Sequence, residues 1–227
     1  MPEIFAHRGL HVTERENTLE AFRAAKALGV DGVELDVRRS ADGVLVIHHD
    51  ALIGDMVIAS TAAAALPSYV PTLDQAMGVL EGLKVNVEIK NLRDPREPTY
   101  DESGDFARVV LSELLHGPWD RAGIISSFDL ATLDVLRATD PDVRLGWLLW
   151  SQDLAGAITT THERGLNAVH PPYWRLDATH AQHAKDLSLE VNVWTVNEPS
   201  GISSMLALGV TSIISDDPAA AMALVAS

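Results

Sequence analysis

The sequence predicts an α/β chain folded as a TIM (β/α)8 barrel, with a short β-hairpin after strand 2, over residues 1–227 as one domain. Three observations predict it. Short apolar runs alternate with helical patterns along the chain. The runs are apolar on both faces, as parallel strands covered by helices are. A helix–Gly–strand turn also recurs, as Ala27-Leu28-Gly29-Val30 and again as Ala207-Leu208-Gly209-Val210. Gly165 precedes His170 by the same five-residue step that separates Gly29 from Glu34. Repetition of one supersecondary unit is what a barrel of such units needs. An open doubly wound sheet is the structural alternative, because periodicity does not show closure.

Nine apolar runs are strand candidates: Ile4–His7, Val33–Val37, Val44–Ile47, Lys84–Ile89, Gly123–Ser126, Arg144–Leu149, Asn167–His170, Val191–Thr195 and Ser212–Ser215. Helical patterns fall at Thr18–Leu28, Leu73–Glu81, Asp105–His116, Leu130–Ala138, Leu154–Arg164, Ala178–Leu187, Pro199–Ala207 and Ala219–Val225. Asn17 is the expected N-cap of the first helix, with Glu20 placed to reach back, and Gly29 is expected just past its end. Val44–Ile47 is the odd run among the nine. Only Arg38 to Gly43 separates it from the strand before, too short for a parallel crossover, so the link is a hairpin with Asp42-Gly43 as turn chemistry. The return strand then brings His48-His49 back beside Asp36 and leaves eight strands for the barrel. Ala51–Val70 and Leu92–Gly104, the latter with Pro95 and Pro98, read as loops that follow strand ends.

With 47% hydrophobic residues the chain can bury a sizeable core. Its net charge of −15 argues against a nucleic-acid binder and against stable association with an anionic membrane. The absence of cysteine excludes disulfides, thiolate metal sites and a thiol nucleophile. No secretory pattern or long apolar run is read, so a cytoplasmic setting is expected.

Strand residues two apart share a side, so Glu34 and Asp36 face one way, and Glu88 and Lys90 do the same on a later strand. Charged residues in apolar strand ends are costly to bury unless paired or bound to metal, and the C-terminal strand ends are where α/β sites form. Three carboxylates meeting there would repel one another unless a cation joined them, and hard oxygen ligands favour Mg²⁺ or Ca²⁺. Structural salt bridges to Arg8, Arg38 or Lys90 are the other reading, and spacing alone leaves both open. His7 and His49 are acid–base candidates. The other seven histidines read as hydrogen-bonded core or surface residues, His170 being the nearest to an exception because it ends a strand. Arg8 and Lys90 suit an anionic substrate. Ser126-Ser127-Phe128 and Trp194-Thr195 also end strands and face either a pocket or ordinary barrel packing.

These pieces together resemble a known family. His7-Arg8-Gly9, Glu16-Asn17-Thr18-Leu19, Gly32-Val33-Glu34-Leu35-Asp36-Val37, Asp42-Gly43 and His49-Asp50 are similar to the signature of glycerophosphodiester phosphodiesterases. Pro71-Thr72-Leu73, Glu88-Ile89-Lys90, Ser127-Phe128, Trp194-Thr195-Val196-Asn197 and Ser215-Asp216-Asp217-Pro218 continue the match in order to about Pro218. The resemblance implies a barrel enzyme of lipid and glycerol metabolism that cleaves a small-molecule glycerophosphodiester to an alcohol and glycerol 3-phosphate. Carried over by position, His7 and His49 become the acid–base pair. Glu34, Asp36 and Glu88 become ligands of one divalent cation, Mg²⁺ or Ca²⁺. Arg8 and Lys90 become phosphate contacts, and Phe128 and Trp194 line the apolar side of the pocket. His49 is preferred to His48 because the family's histidine directly precedes an Asp.

The chain departs from the family at Leu52–Ser60, where an Arg-Thr-Thr-like and Gly-rich stretch is rewritten, and Ser215 stands where Thr is usual. Two routes stay open: attack by the substrate's own 2-hydroxyl through a cyclic phosphate, or direct attack by water. A lysophospholipase D-like reaction on the same barrel and a non-catalytic sugar-phosphate-binding barrel are the rival functions.

Overall fold

A computed structural model describes residues 1–94 and 99–226. Its elements run β1 (Glu3–Ala6), α1 (Leu19–Leu28), β2 (Gly32–Arg39), β3 (Leu45–Ile47), β4 (Leu52–Ile53), β5 (Met56–Val57), α2 (Leu73–Leu80) and β6 (Lys84–Ile89). They continue with α3 (Asp105–His116), β7 (Ile124–Ser127), α4 (Leu130–Thr139), β8 (Leu145–Leu148), α5 (Leu154–Glu163), β9 (Ala168–His170), α6 (Ala178–Asp186), β10 (Glu190–Val193), α7 (Pro199–Leu208), β11 (Ser212–Ser215) and α8 (Pro218–Val225).

The barrel closes because β1 pairs in parallel with both β2 and β11. The order β1-β11-β10-β9-β8-β7-β6-β2 then returns to β1, and β3 hangs antiparallel on β2. Closure removes the sheet edges that the open alternative would leave, and the eight parallel strands are those expected. Val33, Leu35 and Val37 are fully buried in the core cluster that the strands share with Phe22, Leu73 and Leu80 of the helices. Alternation then turns Glu34 and Asp36 to the barrel side.

Local chemistry starts and stops the helices. Asp129, Asp153, Asp177 and Asp217 each accept from a backbone N–H in the first turn of the helix they precede. Thr72 and Gln75 form a reciprocal capping box on α2. Gly29, Gly165 and Gly209 all take left-handed φ values, of 83°, 65° and 68°, which a side chain would oppose. The recurring turn of the sequence is thus one backbone device used three times.

One expected cap is corrected. Thr18, not Asn17, is the N-cap of α1, and its hydroxyl accepts from Ala21 N–H at 3.3 Å. Asn17 has φ 57°, and its amide donates to Asp36 Oδ2 at 2.7 Å. The bond to a buried carboxylate is charge-assisted and so stronger than a neutral cap, and Asn tolerates the left-handed conformation.

The hairpin forms as expected. Val37 opposes Ile47, Gly43 takes φ 84°, and His48 N–H donates to the Asp36 carbonyl at 3.0 Å. The stretch 51–70, read as loop, carries the small β4–β5 hairpin and two 3₁₀ turns, anchored by Ile58 against Val46 and Leu66. Pro95 and Pro98 lie outside the described residues.

The barrel interior is polar at mid-height. Ser126 donates to Asn86 at 2.8 Å, Ser212 donates to Asn192 at 2.8 Å, and Asn192 meets His170 Nε2 at 2.9 Å. Gly146 makes room for that imidazole, since a Cβ there would stand 2.3 Å from Nε2. Lys84–Glu3 and Arg144–Glu190 ion pairs lie nearer the N-terminal strand ends.

Candidate active site

The C-terminal strand ends gather the charged residues of β1, β2 and β6. Glu34, Asp36 and Glu88 each offer an oxygen within 4.8 Å of the others, and all three are buried. Asp36 lies opposite Glu88 in the β2–β6 register, so strand pairing itself sets the cluster. Lys90 Nζ sits 2.7 Å from Glu88 Oε1 and 3.5 Å from Asp36 Oδ1. Arg8 reaches Asp36 at 3.3 Å and Glu16 at 2.9 Å, and its backbone N–H donates to Glu34 Oε2 at 3.0 Å. Arg38, the third cation expected as a partner, donates to the His49 carbonyl at 2.9 Å and holds the hairpin end.

Both histidines rest on carboxylates. His7 Nδ1 is 2.6 Å from Asp216 Oδ1, and its Nε2 is 3.9 Å from Glu34 Oε2. His49 Nδ1 is 2.8 Å from Asp50 Oδ1. A carboxylate only accepts, so each Nδ1 carries the proton and each Nε2 is the exchangeable nitrogen. His11 lies 3.5 Å from the same Asp216 oxygen.

The electrostatics follow from burial and neighbours. Burial, reinforced by the charges of Asp36 and Glu88, pushes the Glu34 carboxyl well above its ordinary range despite Arg8. Burial also opposes charge on Asp36, but Lys90, Arg8, His49 and the Asn17 amide hold it well below. Burial acts against the Lys90 ammonium as well, and Glu88 and Asp36 outweigh it, so its pKa is raised. Among the described residues, Glu34 Oε1 and Asp36 Oδ1 are buried without a hydrogen-bond partner. Two orphaned carboxylate oxygens, a third carboxylate beside them and a repelled Glu34 fit a hard divalent cation as the missing partner.

Every residue expected at the site lies at this rim. Phe128 and Trp194 touch edge-on at 5.7 Å between centroids, and Lys90 Nζ lies 6.0 Å from the Phe128 centroid. His170 is not part of it: the ring is fully buried, and its pKa is pushed down to about 3 by burial and then by Arg144. A cavity of about 440 Å³ meets the cluster only at Lys90 and is otherwise lined by residues such as Arg38, Arg39, Tyr100 and Asp101. The sequence placed Asp216 and Asn17 in the family-like motifs but gave them no chemical role, Asn17 being read as a cap. The Asp216 signal was its place after the last strand, which barrel closure sets beside β1.

Fold and rim chemistry together define a (β/α)8-barrel enzyme. Comparison narrows the class: the model of the glycerophosphoryl diester phosphodiesterase family matches residues 7–66 and 58–220, and the chain belongs to that family. A glycerophosphodiester phosphodiesterase of Caldanaerobacter subterraneus is 26% identical over 95% of this chain and 94% of its own length. One from Bacillus altitudinis is 27% identical over 96% of both chains. The crystal structure of a Parabacteroides distasonis glycerophosphodiester phosphodiesterase shares the fold with a TM-score of 0.87 at 23% identity, covering 99% of this chain and 97% of that one. An Oleispira antarctica phosphodiesterase, solved in complex with the product sn-glycerol-3-phosphate, matches with a TM-score of 0.87 at 23% identity over 100% of this chain and 98% of its own. Among the described residues, no helix is long and apolar enough to cross a membrane.

Proposed function

We propose that residues 1–227 act as one barrel domain that hydrolyses glycerophosphodiesters to an alcohol and glycerol 3-phosphate, in a cytoplasmic setting. The observation that carries the reading is the buried Glu34–Asp36–Glu88 triad beside two carboxylate-backed histidines, in a chain of this family. The product bound to the Oleispira relative supports the same product here.

Glu34, Asp36 and Glu88 would hold one divalent cation, Mg²⁺ or Ca²⁺, which supplies charge neutralisation at the phosphoryl group and lowers the pKa of a nearby hydroxyl. Arg8 and Lys90 bind the remaining phosphoryl oxygens, held in place by their pairs to Glu16, Asp36 and Glu88. One histidine Nε2 takes the proton of the attacking hydroxyl. The other gives a proton to the leaving oxygen as its bond to phosphorus breaks. Each transfer is worth about 10²–10⁴-fold in rate. Ser126 and Ser127 are not nucleophiles in this scheme, because both are fully buried and their hydroxyls donate to Asn86 and to the Ile89 carbonyl. The attacking hydroxyl therefore comes from water, giving glycerol 3-phosphate directly, or from the substrate's glycerol, giving a cyclic phosphate whose P–O bond a water then opens to glycerol 3-phosphate. Phe128 and Trp194 give the carbon skeleton an apolar wall.

Phosphorus NMR of glycerophosphocholine, glycerophosphoethanolamine and glycerophosphoglycerol incubated with the protein tests the reading. Glycerol 3-phosphate should accumulate from at least one, and a cyclic phosphate peak would select the substrate's hydroxyl over water. No product from any of the three contradicts the proposal.

A further inference from the structure

The aromatic wall begun by Phe128 and Trp194 continues outward into two indoles, Trp150 and Trp174, that the chemistry above does not use. Trp194 follows β10, Trp150 follows β8, and Trp174 lies in the 3₁₀ turn after β9. Trp150 stacks on Trp194 with centroids 5.6 Å apart and planes inclined by 26°. Trp174 stands at 89° to Trp150, with 6.5 Å between centroids, so the two exposed indoles form a corner. At the inner end, Phe128 joins Trp194 to Lys90. The wall thus runs outward from the cation that borders the acidic triad.

Trp150 and Trp174 are 58% and 61% exposed. Large aromatic side chains normally gain their worth by burial, so two adjoining exposed indoles at a site mouth are a surface that something covers. The wall is also pinned. Arg175 donates to the Trp150 carbonyl at 2.7 Å and to the Gln152 carbonyl at 2.5 Å, tying the loop after β8 to the turn after β9. Trp194 Nε1–H donates to the His170 carbonyl at 2.7 Å, which fixes its ring.

The geometry also says what would cover it. Aromatic faces are negative, and rings set at right angles are the arrangement that surrounds a quaternary ammonium, a cation with no N–H to satisfy. The chain's net charge of −15 favours a cationic end. A long hydrocarbon chain would need an extended apolar groove, whereas the 440 Å³ cavity that borders Lys90 is lined in part by Arg38, Arg39 and Asp101.

We propose that the Trp194–Trp150–Trp174 wall is the subsite for the alcohol half of the diester, and that it selects alcohols bearing a quaternary ammonium. The proposal rests on the phosphodiesterase reading of the neighbouring triad, and its test is kept separate from that reading. Saturation-transfer NMR is recorded on the N-methyl protons of free choline with the whole protein and no added divalent cation. The neutral carbon isostere 3,3-dimethylbutan-1-ol serves as control. Transfer to choline well above the isostere, lost in Trp150→Leu and Trp174→Leu and kept in Trp150→Phe, is expected. Equal transfer to both compounds, none to either, or full transfer to choline in both leucine variants overturns it. Turnover gives the second readout. The ratio of kcat/KM for glycerophosphocholine to that for glycerophosphoglycerol should fall about tenfold in Trp150→Leu. An unchanged ratio overturns the assignment. If no diester is turned over but choline still binds the wall, the phosphodiesterase reading fails while the onium subsite stands.

Discussion

His7 Nδ1 and Asp216 Oδ1 are 2.6 Å apart, although 209 positions separate the residues in sequence. Barrel closure makes the pair: Ala6 ends β1 opposite Ser215 at the end of β11, and the next residue of each strand completes the contact. Asn197 locks the carboxylate from behind, donating to Asp216 Oδ2 at 2.7 Å and accepting from Asp216 N–H at 2.9 Å. Burial opposes the charge on Asp216, but the His7 hydrogen bond and charge, with Asn197, bring its pKa down to about 2. Asp216 is therefore an anion throughout the neutral range, and it fixes the proton of His7 on Nδ1.

Asp216→Asn should keep the fold and lose that fixed tautomer. The expected outcome is a fall in kcat on the order of 10²-fold, a smaller change in KM and a displaced pH–rate profile. Steady-state kinetics over a pH series checks it, with circular dichroism as the control for folding. A kcat within about twofold of wild type would remove Asp216 as a positioning residue.

Asn17→Ala removes the 2.7 Å hydrogen bond to the buried Asp36 carboxylate and places alanine at φ 57°. The loss of a bond to a charged group and the left-handed backbone together should cost about 2–4 kcal/mol. Urea unfolding measures it. The same variant should bind divalent cations more weakly in calorimetry, because one of the proposed ligand carboxylates loses its orienting amide. Unchanged stability contradicts the account of Asn17.

His170 gives the protein an acid-sensitive stability. Its pKa is pushed from 6.5 down to about 3 in the fold, first by burial and then by Arg144. Well above pH 6.5 the ring is neutral in both states and contributes no pH dependence. Between 6.5 and about 3 the unfolded chain binds a proton that the folded chain refuses, so stability falls as pH falls. Chemical denaturation between pH 7 and 5 should therefore show a slope that is shallower by about one proton in His170→Asn, even though that variant starts less stable. Identical slopes would contradict the burial argument.

The barrel and the acidic triad were legible because both rest on short-range rules. Alternation put Glu34 and Asp36 on one face, and the brief link from Arg38 to Gly43 forced the hairpin that returns His49. The departures come from long-range partners. Asn17 has the composition of a cap, but its amide is drawn to a carboxylate 19 residues away. Asp216 acquires a partner only when β11 closes on β1. Trp150 and Trp174 sit after separate strands, so their corner exists only once β8, β9 and β10 lie side by side. The 51–70 stretch hid its small hairpin because two-residue strands leave no periodicity to read.

The central claim is that a divalent cation held by Glu34, Asp36 and Glu88 assists cleavage of a glycerophosphodiester. Its most direct test is glycerol 3-phosphate release before EDTA treatment, after it, and after Mg²⁺ or Ca²⁺ is restored, with Asp36→Asn alongside. The account predicts activity that is abolished by chelation, recovered on restoring one of the two ions, and not recovered in the variant. Full activity after complete chelation, or an Asp36→Asn protein as active as wild type, would contradict it.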